Sequence, residues 1–191
     1  PKVYQYLQFC MAYKRGTRFE KDGKETPFTA SDKQFAEELL EKFPEFKQFM
    51  EEFRAFNDGL VKLAVDTGVL TPEKAEAFTK YADYIPFYRQ MEGEETIGPR
   101  VFSGISGARN FKKTKGGEAP LGDFLENMVR NTQSMINMSM KNRAAVVAAQ
   151  NAVTANVAER VVDENGNDKV MTGPEYFQVM ENGKQVSYRT H

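Results

Sequence analysis

The sequence predicts a mainly α fold: antiparallel helices around one long helix, with a long irregular aromatic strap and a small C-terminal β-hairpin region. Three observations carry this expectation. No glycine or proline interrupts the chain between Asp123 and Asn165, and apolar residues recur there at helical spacing. Phe46, Phe49, Met50, Phe53, Phe56, Leu60, Leu63 and Ala64 form a second stripe with the i, i+3, i+4, i+7 pattern of one helix face. Near the end, Asn182-Gly183 separates two alternating runs, and both residues tolerate the positive φ of a type I′ turn.

From the N-terminus, Val3, Leu7, Cys10, Met11 and Lys14 share helical spacing, so a first helix is expected over Val3 to Lys14. Gly16 to Pro27 is polar and contains glycine, and reads as a loop or weak hairpin. Ser31-Asp32 offers a cap to a helix carrying Phe35, Leu39, Leu40 and Phe43, which Pro44 interrupts. The next helix starts at Glu45 and stops at Gly68. Thr71-Pro72-Glu73 opens another with a cap, a proline at the first helical position and an acid facing the dipole, running to about Tyr81.

Periodicity vanishes from Asp83 to Pro120, where aromatic Tyr84-Ile85-Pro86-Phe87-Tyr88-Arg89 precedes six glycines. A segment of that length with no helical or strand pattern either wraps a partner or is pinned by its rings. The long helix is expected from Leu121 to Val157, roughly 37 residues and 55 Å. Leu121, Leu125, Met128, Thr132, Met135 and Ile136 mark its face, widened by Phe124 and Val129. After Lys141-Asn142-Arg143 it turns to alanine and valine, which permit close approach of another helix. Strands follow at Arg160 to Val162, Lys169 to Met171, Tyr176 to Met180 and Gln185 to Arg189. The chain thus divides into a helical region (1–82), a strap (83–120), the long helix (121–160) and a hairpin tail (161–191).

Twenty-six basic residues against 27 acidic leave a net charge of -1, without the basic excess that nucleic-acid or anionic-membrane binding usually needs. A single cysteine, Cys10, forms no intrachain disulfide, which fits a reducing compartment or a fold that never needed stapling. No apolar run reaches the roughly 18 residues of a membrane span. The start at proline and the end directly after a strand-like run read as a piece of a longer polypeptide or a mature cleavage product.

Catalytic groups are hard to find. The lone histidine, His191, is the last residue, which disfavours a histidine triad or a His-rich metal site. Cys10, with no histidine partner, reads as core rather than nucleophile. Glu37-Glu38 and Glu51-Glu52 read as solvated helix faces. Neither a metal, a cofactor nor a small-molecule substrate is expected. Two interaction surfaces remain open. Arg100, Arg109, Lys112, Lys113 and Lys115 form the one basic cluster, either a solvated loop or a nucleic-acid contact. Tyr84, Phe87, Tyr88 and Arg89 are either core-plugging strap residues or a protein-binding epitope.

The order of motifs adds a resemblance. Asp66-Thr67-Gly68-Val69-Leu70 is followed by Thr71-Pro72-Glu73, then Tyr84 to Arg89, then the lysine-glycine loop Lys112 to Gly117. Leu121-Gly122-Asp123-Phe124-Leu125-Glu126-Asn127 comes next, then Lys141-Asn142-Arg143, then Gly183-Lys184-Gln185-Val186-Ser187-Tyr188. This series resembles the large polyvalent protein-associated domains, modules of very long proteins of bacteriophages and related mobile elements, over roughly Phe35 to His191. The resemblance implies a non-catalytic structural or interaction segment of an internal virion (ejection) protein, delivered into the bacterial host with the DNA. Implied partners are other virion or tail proteins or copies of the chain itself. The alternative is a nucleic-acid-contacting accessory module beside a polymerase, helicase or nuclease domain.

Overall fold

A computed structural model describes residues 2–21, 23, 26, 28–79 and 124–191 of the chain. The fold is mostly helical, with a small antiparallel sheet at the C-terminus. In chain order the described elements are α1 (Lys2–Lys21), α2 (Ala30–Lys42), α3 (Glu45–Asp66), α4 (Pro72–Thr79), α5 (Phe124–Thr154), β1 (Ala158–Arg160), β2 (Tyr176–Glu181) and β3 (Lys184–Thr190). The strap 83–120 lies outside the described residues.

Two boundaries near the N-terminus differ from expectation. Helix α1 runs on through Gly16 to Lys21, where a loop is expected. Tertiary packing overrides the weak local signal: the Phe28 ring lies against Gly16, where a Cβ would meet it at 2.5 Å. Phe28 also sits edge-on to Phe9 and Tyr13, with centroids 6.1 and 5.7 Å away. The cap of α2 is Thr29, not Ser31-Asp32. Its Oγ1 accepts the Asp32 N–H at 3.2 Å and Asp32 Oδ2 accepts the Thr29 N–H at 2.8 Å, a reciprocal capping box. Those bonds to Thr29 hold the Asp32 carboxyl below its ordinary range.

Helices α1, α2 and α3 enclose one core. Cys10, Leu39, Leu40 and Phe46 are buried together, and Phe43 stacks on Phe46 at 5.0 Å. Each fully buried ring or branched side chain there contributes about 1.5–3 kcal/mol. Met11 and Phe53 extend this core to Met128 of α5. A second core joins α3 to α5 through Leu60, Ala64, Met135 and Met138, closed by Val69 and Leu70 from the turn after α3.

That turn is a Schellman motif. Gly68 takes φ +77, the Gly68 N–H bonds Val65 O at 2.9 Å and the Val69 N–H bonds Ala64 O at 2.8 Å. Thr71 then caps α4, its Oγ1 accepting the Lys74 N–H at 3.1 Å, with Pro72 at the first helical position as expected.

Helix α5 has 31 described residues, about 46 Å of helix. Leu121 to Asp123, the expected start, lie outside the described residues. Its other end comes earlier than the expected Val157, through a second Schellman motif. Asn156 takes φ 58, and the Val157 N–H reaches Ala152 O at 3.0 Å. The sequence carries no glycine there, and asparagine fills the left-handed position instead.

The sheet has strand order β1-β3-β2, antiparallel throughout. Asn182 (φ 49) and Gly183 (φ 68) form the expected type I′ turn between β2 and β3. The predicted strand at Arg160 to Val162 moves to Ala158–Arg160. Lys169 to Met171 forms no strand; a single bridge, Val162 to Asp168, closes the loop between. That loop covers one sheet face: Met171 N–H donates to Ser187 Oγ at 2.9 Å, and Gln178 Nε2 donates to Met171 O at 2.6 Å. The other face packs on α5 through Val179, Val186 and Tyr188 against Ala145 and Ala149, the small residues that allow this close approach.

The hairpin turn is pressed against the α3–α4 connection. The Gly183 N–H donates to Gly68 O at 2.9 Å, and a Cβ on Gly183 would lie 2.6 Å from Thr71 Cγ2 and 2.8 Å from Thr71 N. Gly183→Ala is therefore expected to lose about 2–4 kcal/mol from the clash plus the positive φ. Gly166→Ala, at φ +80 but with open space around it, should lose only about 1 kcal/mol. Urea unfolding of both variants checks the difference.

Candidate functional site

The residues that the sequence marks for interaction lie outside the described residues: Arg100, Arg109, Lys112, Lys113 and Lys115 of the basic cluster, and Tyr84, Phe87, Tyr88 and Arg89 of the strap. What the described residues offer is α5, which carries two faces of different character.

Its inner face is anchored by Asn142, 1% exposed. The closing pair of the hairpin is Glu181 with Lys184, so the next residue, Met180, points its N–H and C=O away from β3. Asn142 meets both. Its Oδ1 accepts the Met180 N–H at 2.8 Å, and its Nδ2 donates to Met180 O at 2.8 Å. The same Nδ2 donates to Thr67 O at 2.7 Å, the C-cap of α3. One side-chain amide thus takes the place of a neighbouring strand on β2 and satisfies a helix end. The sequence reading placed Asn142 in a polar divider and missed this. A buried asparagine looks like a surface one in a single sequence, and only its spacing of seven, four and three residues from Met135, Met138 and Ala145 hints at the inner face.

One turn earlier, Ser139 is fully buried, and among the described residues its Oγ is the one buried side-chain polar atom without a hydrogen-bond partner.

The outer face carries a row of apolar side chains that Arg143 interrupts near its end. Leu125, Val129, Ile136, Met140 and Val147 are all exposed, Val129 by 59%. At 100° per residue they fall within about 60° of one another, roughly 130° around the helix from the buried face. Their spacing, four then seven, is an 11-residue repeat that stays on one side of a nearly straight helix. The sequence reading put Leu125, Val129 and Ile136 on one broad face with Met128 and Met135. The structure separates them: Met128 and Met135 turn inward, and the other three face out. The 11-residue repeat was the signal that could have separated them. Val147, at the end of this row, also lines an open hollow of about 320 Å³ with Arg143, Val65, Gly68, Met180 and Asn182.

The sheet carries the densest charge cluster. Arg160 bonds Asp168 through Nε at 2.7 Å and Nη2 at 3.1 Å, and Glu181 through Nη1 at 2.8 Å. Glu181 Oε1 in turn accepts the Tyr188 hydroxyl at 2.7 Å. The hydrogen bonds from Arg160 hold the Asp168 carboxyl below its ordinary range. Burial, then the hydrogen bond to Glu181, pushes the Tyr188 phenol up to about 12. Every charge in the cluster is bonded within it, which fits a clamp on the 161–171 loop rather than acid–base chemistry. Cys10 is buried, and burial raises its thiol pKa, the opposite of nucleophile activation. Among the described residues no group of three or more His, Cys, Asp or Glu side chains could hold a metal ion, and no helix is long and apolar enough to cross a membrane.

Comparison with protein-family models, curated proteins and solved structures finds no match to this chain.

Asn142→Ala leaves two buried carbonyls and one N–H without a partner, and is expected to lose about 3–5 kcal/mol. Ser139→Ala removes a buried hydroxyl that bonds nothing and should cost under about 0.5 kcal/mol or stabilise. Equilibrium unfolding in urea reads both. Tyr188 gives the alkaline limb. Its folded pKa lies above the unfolded value of about 10, so its contribution is whole below that value and drains away as pH climbs through about 12. Tyr188→Phe should flatten the loss of stability over that window, measured by thermal unfolding against pH.

Proposed function

We propose that this chain is a non-catalytic interaction segment in which α5 is the spine and its outer apolar row is the docking face. The row of Leu125, Val129, Ile136, Met140 and Val147 carries the reading. Single exposed apolar residues are ordinary on soluble proteins, but a row aligned over six turns is a surface that water covers at a cost. Its fit is to a helical partner lying along α5, because an 11-residue repeat keeps contact only with an elongated neighbour. The inner face is already fully engaged by α3 and the sheet, so docking needs no unfolding of the segment.

The biological setting comes from the resemblance alone. On that basis the partner is another virion or tail protein of a bacteriophage, or a copy of this chain, and the segment travels with the DNA into the host. On the same reading the segment has a binding role and no catalytic one.

The pair Val129→Glu with Met140→Glu tests the face. Both side chains are exposed, so stability should change by no more than about 0.5 kcal/mol for each substitution. Association with purified virion proteins, or self-association measured by sedimentation, should be lost. If the unmodified chain stays monomeric at high concentration and binds none of the virion proteins, the reading fails.

A further inference from the structure

We infer that Asn165-Gly166 is a site of spontaneous deamidation, and that the fold shields the same dipeptide at Asn182-Gly183. The chemistry is shared by both. The glycine amide nitrogen attacks the asparagine Cγ, an N–C bond forms, and the side-chain nitrogen leaves as ammonia. Water then opens the resulting cyclic imide at one of its two carbonyls, giving aspartate or isoaspartate. The only co-reactant is water. Glycine is the following residue at both positions, so no side chain obstructs the attack.

What separates the two is the cost of opening the turn. Each glycine N–H is held in a hydrogen bond that must break before the nitrogen can react: Gly166 to Asp163 O at 3.0 Å, Gly183 to Gly68 O at 2.9 Å. At Asn165 every such bond is local. Its own N–H and that of Asn167 both donate to Asp163 Oδ1, at 2.8 and 2.9 Å. Residues 163 to 167 are exposed, and a Cβ at Gly166 would meet nothing within 4 Å. That turn opens without disturbing any packed element.

Asn182-Gly183 is the reverse. Gly183 is buried, and its bond crosses to the α3–α4 connection, where Thr71 leaves no space beside it. Two residues back, Met180 is tied to Asn142 by both backbone groups. Freeing the Gly183 nitrogen means lifting the hairpin from the helices, an opening close to global unfolding. Reaction at Asn165 adds a carboxylate beside Asp163 and Glu164, and the isoaspartyl form lengthens the main chain just before Asp168, which Arg160 holds.

The experiment incubates the folded full chain at mildly alkaline pH and maps its peptides by mass spectrometry, where each deamidation adds about 1 Da. In the native state Asn165 should react more than about tenfold faster than Asn182, and Asn165→Gln should remove the first acidic species to appear. In urea the two rates should converge to within a few-fold. Equal native rates, or Asn182 reacting first, would overturn the inference. An unchanged rate ratio in urea would overturn the shielding, since local sequence rather than the fold would then set the order.

Discussion

A buried amide, that of Asn142, ties the edge strand of the sheet to the helical core. An edge strand normally leaves alternate N–H and C=O groups for water or another strand. Here the Asn142 side chain supplies one donor and one acceptor to Met180 in the geometry of strand pairing, and a further donor contact to Thr67. Burying an amide is costly unless its bonds are made, and here both its oxygen and its nitrogen are engaged. Beside it, the Gly183 N–H bonds Gly68 O and Lys74 Nζ reaches Gly183 O at the hairpin turn, and the remaining joins are apolar contacts, which specify area but not register. Asn142 adds direction. It fixes which residue of β2 faces α5, and with it the depth at which the hairpin turn meets Gly68 and Thr71.

The close approaches nearby follow from that constraint. Alanines at 145 and 149 let the sheet settle on α5, and Gly183 lets the hairpin turn reach the α3 C-terminus. The two edge strands are then secured differently: β2 by the amide and the glycine contact, β1 by Arg160, which ties the 161–171 loop to Glu181 beside the same hairpin turn. With its inner face spent in this way, α5 keeps its outer row of apolar residues free of the rest of the described fold. That exposed apolar row, on the side away from the buried face, is the physical ground on which we propose a docking role for α5.

Much of this was legible in the residues. The α3 stripe, the stop at Gly68, the Thr71-Pro72 start and the Asn182-Gly183 turn each have one strong local cause, and each lies where expected. The losses come from packing between elements and from an asparagine in a position that glycine usually marks. Helix α1 continues past Gly16, where Phe28, twelve residues on, folds back against it. Asn156 ends α5 with no glycine to announce it. Lys169 to Met171 alternates like a strand but bonds to the face of the sheet through Ser187 and Gln178 instead of joining its edge. The site suffered most, because neither the burial of Asn142 nor the division of α5 into two faces is a local property. The 11-residue repeat was present in the sequence but merged with the broader helical periodicity.

The functional reading rests on that division, and the division rests on Asn142. Native-state hydrogen exchange at the Met180 amide tests it most directly. If Asn142 holds β2 to α5, that amide exchanges only through near-global opening, as slowly as the central amides of α3 and α5, and Asn142→Ala brings it down to the rate of an exposed strand edge. Fast exchange of Met180 in the unmodified chain, with the α3 and α5 amides still protected, would contradict the account.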